Sequence, residues 1–123
     1  MKLHADAPTP ANVFTRYGEG YVVVNAERYE KPLVVLPDRI WTGWEATDFE
    51  SLTEAHFGAL AELDREVILL GTGSRLRFPH PRLLAPLHRA GVGVEVMDVP
   101  AACRTYNILM AESRKVAAAL LLP

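Results

Sequence analysis

The strongest constraint on the fold is an uninterrupted apolar run, Val67–Leu70, which ends at Gly71. A run of this length is typical of a strand that is buried on both faces of a sheet. Val92–Met97, with valine at alternate positions, is a second strand candidate and ends at Asp98. Because a helical stretch separates the two, they are expected to pair in parallel, with that helix packed against the sheet.

Helical segments lie on both sides of the Val67–Leu70 run. Ser51–Glu54 fits a capping box, in which a hydroxyl and a carboxylate bind reciprocal backbone N–H groups, and a helix should follow to near Leu63. Pro79–Gly91 is the second helical segment. Within it Pro86 predicts a kink or a late start, because proline lacks an N–H donor and crowds the preceding turn.

The last third of the sequence predicts a helix and an ambiguous tail. Asp98 can cap a helix over residues 101–111, with Pro100 in its first turn. The apolar tail, Val116–Leu122, has three alanines that favour a helix, yet its unbroken apolar character favours a buried strand. Both alternatives remain open from periodicity alone.

The first half of the chain predicts strands. Tyr21–Val24 and Leu33–Leu36 are expected to pair antiparallel through the mostly polar connection Asn25–Pro32. Ile40–Thr42 is a third short strand candidate. Residues 1–19, which contain two prolines, are expected to form an extended N-terminal lead-in.

The composition fits a single domain over residues 1–123. Half of the residues are hydrophobic, which is enough for a core at this length. The net charge of −2, from 13 Lys+Arg against 15 Asp+Glu, argues against a nucleic-acid partner. The apolar runs are far shorter than the roughly 20 residues that span a bilayer. The start of the chain resembles neither a secretory signal nor a mitochondrial presequence, so a cytoplasmic protein is expected.

Polar residues follow two of the predicted strands, at the carboxyl ends where ligands bind in open α/β sheets. The candidate binding residues are Gly71, Thr72, Gly73, Asp98, Arg104, Thr105 and Asn107. The same residues also fit purely structural roles, since Gly-Thr-Gly suits a tight turn and aspartate suits a helix cap. The sequence leaves both interpretations open.

Several familiar chemistries find no support in the sequence. The Gly-Thr-Gly element is not a dinucleotide fingerprint, because Leu76 stands where a third glycine is needed. Ser74, either His80 or His88, and Asp98 could be assembled into a hydrolase triad, but no nucleophile elbow is present. Cys103, the one cysteine, is expected to be a buried core thiol. We predict no catalytic residues, no metal site and no cofactor.

Charge is unevenly distributed along the chain. Residues 45–66 are rich in acids, whereas residues 72–94 carry four arginines and no acid. The candidate interaction surface consists of Arg75, Arg77, Phe78, Arg82, Arg89 and Trp44. It could meet an acidic protein, a nucleic acid or only water, and the opposite charges of the two segments also permit self-association. Trp41 is expected in the core, and Trp44 in a loop and partly exposed.

The second half of the chain resembles a known family. The matching segments are Leu70–Gly73, Arg77–Phe78, Gly91–Asp98, Ala102–Leu109 and Glu112–Leu120. They resemble the family of conserved domains of unknown function that includes mitochondrial complex I assembly factor 3 (NADH dehydrogenase alpha subcomplex assembly factor 3). The resemblance spans residues 20–122, and its most specific part is the Thr-Tyr-Asn element within Ala102–Leu109.

The resemblance implies a three-layer α/β fold on a mixed central β-sheet, with helices and an N-terminal β-hairpin layer. It also implies that Val116–Leu122 returns as a strand. The family usually has glycine where this chain has Ser113, and a left-handed turn there is less comfortable for serine. The mitochondrial member helps to assemble the respiratory NADH:quinone oxidoreductase and has no established catalytic activity, so the resemblance implies a non-catalytic assembly role.

Two functions follow as hypotheses. The first is a non-catalytic adaptor or assembly-factor-like protein that binds a protein partner of unknown identity. The second is a small-molecule or anion-binding protein, and a possible enzyme. In that case Arg104, Thr105 and Asn107 would donate to the ligand while Asp98 orients Arg104.

Overall fold

The computed structural model describes residues 10–122, and within them it contains eight strands and three α-helices. The strands are β1 (Phe14–Gly18), β2 (Tyr21–Val24), β3 (Glu27–Tyr29), β4 (Leu33–Leu36), β5 (Arg39–Trp41), β6 (Val67–Gly71), β7 (Gly93–Met97) and β8 (Val116–Leu120). The helices are α1 (Glu54–Ala61), α2 (Ala85–Arg89) and α3 (Val99–Ala111), and a 3-10 turn over Pro81–Leu84 precedes α2.

A five-stranded mixed sheet forms the centre of the molecule, in the order β5-β4-β8-β6-β7. β6 pairs in parallel with β7 and with β8, which confirms the predicted parallel pairing. β4 pairs antiparallel with β5 and β8. The ambiguous tail is therefore a central strand. Its alanines are fully buried between two helical layers, and this packing overrides their helix propensity.

A second sheet of three antiparallel strands, β1-β2-β3, corrects two predictions about the first half. Residues 14–18 form β1 and are not part of an extended lead-in; residues 1–9 of that lead-in lie outside the described residues. The predicted pairing of Tyr21–Val24 with Leu33–Leu36 is wrong, because these strands belong to different sheets. The connection between them contains β3, which takes the place beside β2.

The two faces of the central sheet have separate cores, and this confirms the three-layer α/β fold. Leu69 faces α3 and the three-stranded sheet, and packs in the same cluster as Phe14 and Tyr106. Ile68 and Leu70 face the opposite side, in the cluster that contains residues of α1 and α2. Successive residues of a strand point to opposite faces, so one apolar run supplies both cores.

The start of α1 differs from the predicted capping box by two residues. Thr53 is the N-cap, and its backbone N–H donates to Nδ1 of His56 at 3.1 Å. Ser51 instead belongs to the preceding turn, where its N–H donates to Asp48 Oδ1 at 2.9 Å. His56 occupies the third helical position, where a capping box usually has Glu or Gln. The sequence pattern therefore did not indicate that the helix begins after Thr53.

The other two helices agree with the sequence. Pro86 lies in the first turn of α2 after the 3-10 turn, so the predicted late start is confirmed. Asp98 caps α3, and Pro100 follows in its first turn, as predicted. No helix within residues 10–122 is both long enough and apolar enough to cross a membrane.

Candidate functional site

The carboxyl ends of three strands meet at one edge of the central sheet. Gly71 at the end of β6 lies opposite Met97 of β7 and Leu120 of β8. The loop that follows is bonded to its neighbours: Thr72 N donates to Met97 O at 2.9 Å, and Val99 N donates to Gly73 O at 2.8 Å. The structure thus brings the Gly-Thr-Gly loop and the start of α3 together.

Both glycines of this loop are required by its geometry. A Cβ on Gly71 would lie 2.8 Å from Leu120 Cδ2 and 3.2 Å from Val99 Cγ2, closer than side chains pack. Gly73 has φ +106°, a conformation that L-residues rarely adopt. These two positions are therefore determined by packing and backbone conformation.

The polar side chains at this edge bind backbone groups. Thr72 is buried, and its Oγ1 donates to Arg75 O at 2.8 Å and accepts from Arg77 N at 3.1 Å. Asp98 Oδ1 accepts from Ala101 N at 2.8 Å, which fixes the first turn of α3. Thr72 shapes the loop, and Asp98 caps the helix.

The Thr-Tyr-Asn element of α3 faces β1. Asn107 donates from Nδ2 to Phe14 O at 2.9 Å and accepts at Oδ1 from Phe14 N at 3.0 Å. The buried Tyr106 donates its hydroxyl to Asn12 O at 2.9 Å. Thr105 is half-buried on the same helix. The element joins the three-stranded sheet to the central layer.

Arg104 also points toward β1. Its Nη1 donates to the Tyr17 hydroxyl at 3.2 Å, and this hydrogen bond is the main cause that raises the pKa of Arg104. The charge of Asp98 is a smaller cause. The expected orientation of Arg104 by Asp98 is thus replaced by a contact with Tyr17.

The predicted binding residues therefore divide into two structural groups. An open groove of about 480 Å³ lies at the sheet edge and is lined by Thr47–Phe49, Thr72–Arg75, Arg77 and Leu121–Leu122. A neighbouring groove of about 320 Å³ is lined by Gly18–Gly20, Gly73–Ser74, Val99–Pro100 and Leu121–Leu122. Thr72 and Gly73 line these grooves, whereas the other five, Gly71, Asp98, Arg104, Thr105 and Asn107, line neither.

The residues considered for nucleophilic chemistry are also engaged elsewhere. Cys103 is fully buried, and burial raises the pKa of its thiol to about 12, so the reactive thiolate is suppressed. His80 Nδ1 accepts from Arg82 N at 3.1 Å, and Asp98 caps α3. Of the residues considered for a triad, His80 and Asp98 are therefore bound to backbone groups, while His88 is exposed on α2.

The arginine-rich segment presents an exposed aromatic ring on a supported loop. Phe78 is 72% exposed and Leu76 is 48% exposed, the two largest apolar exposures between β6 and α2. Arg77 between them turns inward, with Cζ 4.3 Å from the centre of the Phe49 ring and Nη1 2.6 Å from Glu50 Oε2. Arg75, Arg82 and Arg89 are exposed.

The structure corrects the interpretation of one of the two tryptophans. Trp44 is buried, at 4% exposure, and its Nε1 donates to His56 O at 3.0 Å, so it cannot belong to an interaction surface. Trp41, expected in the core, lies at the end of β5, where it is half-buried and packs against the core cluster on the α1 and α2 side. A loop tryptophan is buried here because a backbone carbonyl of α1 satisfies its polar atom.

Sequence reasoning missed the partners of the Thr-Tyr-Asn element. Asn12, Phe14 and Tyr17 lie in the segment that the sequence predicts as an extended lead-in. The sequence signal for a strand here is the alternation of apolar and polar residues that begins at Phe14, and over five positions this signal is weak. The contact between Asn107 and Phe14 joins residues 93 positions apart, beyond the reach of local patterns.

Comparisons with known proteins agree with this fold. A solved structure from Bordetella parapertussis is 41% identical, with a TM-score of 0.86 over 94% of this chain and 98% of that one. The bovine protein named NADH dehydrogenase [ubiquinone] 1 alpha subcomplex assembly factor 3 is 32% identical over 98% of this chain. The chain spans 66% of the length of that relative.

A bacterial relative carries a different kind of name. The "13 kDa major membrane protein" of Francisella tularensis is 29% identical over 84% of this chain and 85% of its own length. Residues 14–121 match the model of the family described as "Protein of unknown function (DUF498/DUF598)". This match covers both sheets and all three helices, and the chain therefore belongs to that family.

Proposed function

We propose that this chain is a non-catalytic, assembly-factor-like adaptor that binds a protein partner through the loop carrying Phe78. The observation that carries the proposal is the 72% exposure of Phe78 beside the 48% exposed Leu76. Aromatic residues and arginines are enriched at protein interfaces, and a few of them often contribute most of the binding energy.

The loop is held in place before any partner binds. Thr72 Oγ1 bonds the backbone at Arg75 and Arg77, and Arg77 stacks on Phe49 and pairs with Glu50. A loop fixed in this way loses little conformational entropy on binding, so more of the contact energy remains as affinity. The fixed backbone supports the assignment of Phe78 as an anchor.

The engagement of the polar residues supports an adaptor over a small-molecule site. Asp98 and Asn107, which would have oriented a ligand, bind backbone groups at 2.8–3.0 Å. Arg104 binds Tyr17. These bonds stabilise the junction of the layers, and breaking them to reach a ligand would cost stability.

The names of the relatives suggest the class of partner. Several curated relatives are named as assembly factors of a NADH dehydrogenase alpha subcomplex. We therefore propose that the partner is a subunit of a respiratory NADH dehydrogenase. The proposal retains the cytoplasmic location that the sequence led us to expect.

Affinity capture from the native host tests the proposal. The tagged chain, stabilised by mild cross-linking, is expected to co-purify NADH dehydrogenase subunits, and Phe78→Ser is expected to lose most of this capture. Ile108→Ser is the matched control, because Ile108 is 59% exposed but lies on α3. The proposal fails if no such subunit is captured or if Phe78→Ser captures as much as wild type.

A further inference from the structure

The groove at the sheet edge is lined by two chain segments of opposite charge. Thr47–Phe49 contributes the exposed Asp48, and Thr72–Arg75 contributes the exposed Arg75. Asp48 is held in position because its Oδ1 accepts from Ser51 N at 2.9 Å. An acidic and a basic side chain therefore line the same open groove.

One ion pair already joins the two sides, and it leaves the outer charges available. Arg77 Nη1 lies 2.6 Å from Glu50 Oε2, which fixes the acidic segment beside the loop. Among the ion pairs formed within residues 10–122, none includes Arg75 or Asp48. The face presents an acidic half and a basic half to any molecule that approaches it.

The same face carries both an apolar projection and a recess. Phe78 directly follows Arg77, one of the residues that line the groove, and its ring is 72% exposed. The groove, at about 480 Å³, has room for such a ring, and Phe49, Leu121 and Leu122 supply apolar surface. The exposed ring is thus one residue along the chain from the lining of the recess.

We propose that two copies of this chain associate about a twofold axis through this face. A twofold axis places the acidic half of one copy on the basic half of the other, and each Phe78 against the groove of the other copy. A uniformly acidic protein or an anionic lipid surface would meet Asp48 and Glu50 and be repelled there. Because this face carries charges of both signs, it is best matched by the same face of a second copy.

Self-association goes beyond the proposed function, because it involves only copies of this chain and no other protein. It also has a consequence for that function, since the same Phe78 ring would be covered in the dimer. Dimer formation and partner binding would then exclude each other, and the dimer would protect an exposed aromatic ring in the free protein.

Sedimentation velocity on the purified full chain tests the dimer. With rising concentration, the mass is expected to increase from 13.6 kDa toward twice that value. Phe78→Ser should raise the dissociation constant at least about tenfold, as for a central interface residue.

Asp48→Asn, which keeps an acceptor for Ser51 N, should raise the dissociation constant by a smaller factor, and Ile108→Ser should leave it unchanged. Raising the salt from 0.1 to 1 M shortens the Debye length from about 10 to about 3 Å and should weaken the dimer.

Three results would overturn the proposal. One is a single species of 13.6 kDa at every concentration up to about 1 mM, because a dimer with a dissociation constant above that value would be too weak to matter. Another is a dimer that survives Phe78→Ser unchanged, and the third is a dimer that Ile108→Ser weakens equally. Because only the purified chain is present, these results are independent of whether a respiratory subunit is captured.

Discussion

Asn107 binds both backbone groups of Phe14, accepting from its N–H at 3.0 Å and donating to its carbonyl at 2.9 Å. The amide side chain thus imitates the pairing of a neighbouring strand at the start of β1. Together with the Tyr106 hydroxyl on Asn12 O, it ties the three-stranded sheet to α3. The most distinctive element of the sequence therefore has a structural role.

Removing this amide should loosen the attachment of β1. Asn107→Ala breaks two hydrogen bonds and leaves two half-buried backbone groups without partners, so we expect a loss of about 2 kcal/mol in the free energy of unfolding. Urea denaturation measures the loss as a lower midpoint. Thr105→Ala, a neighbouring half-buried position on α3, is the control and should cost less. Equal losses in the two variants would contradict the assignment.

The fold was predictable where the apolar patterns are strong. Val67–Leu70 supplied the central parallel strand because its burial on both faces requires an unbroken apolar run. The three-stranded sheet was not predictable in the same way, since β3 has only three residues and two of them are exposed. Its pairing with β2 depends on a turn at Asn25, whose φ is 56°, and the local pattern does not specify this turn.

The sequence predicted where the candidate site lies better than it predicted what each of its residues does. Parallel strands place Gly71 and Asp98 at one edge whatever their function, so topology alone brought them together. The roles depend on partners that are distant in sequence: Arg104 on Tyr17, and Trp44 on the carbonyl of His56. No local pattern contains such contacts.

The Cys103 thiol should be inert in the folded protein. It lies on the buried face of α3, and burial raises the pKa of the thiol to about 12. At pH 8 we therefore expect labelling by a thiol reagent to proceed no faster than unfolding, and to become rapid in concentrated urea. Rapid stoichiometric labelling of the native chain would contradict this prediction.

Stability should decrease in acid partly through Glu66. Its carboxylate accepts from Arg114 Nη2 at 3.0 Å and from Lys115 N at 3.1 Å, and the Arg114 bond is the main cause that lowers the pKa of Glu66 below its ordinary 4.5. A lowered pKa in the folded state gives stabilisation that is present above the unfolded value and is lost as the pH falls through the folded value.

Glu66→Gln should therefore be less stable than wild type at pH 7, and the two should converge in stability as the pH falls below 4.5 and through the lowered pKa of Glu66. Urea midpoints measured across this range provide the test. Glu45→Gln, an exposed carboxylate outside the described ion pairs, is the control and should show no such convergence. A constant difference between wild type and Glu66→Gln at all pH values would refute the role of the carboxylate charge.

Ser113→Gly should stabilise the protein at the turn between α3 and β8. Ser113 has φ 63°, so the left-handed conformation expected from the family resemblance is present with a serine in it. That conformation costs an L-residue roughly 1–2 kcal/mol, and the greater freedom of glycine in the unfolded chain offsets roughly 0.4–1 kcal/mol of the relief. We expect a net gain of about 0.5–1 kcal/mol, seen as a higher urea midpoint with an unchanged slope. Ser74→Gly is the matched control, because Ser74 does not have a positive φ, and it should give no gain. If both substitutions raised the midpoint equally, the strain at Ser113 could not be its cause.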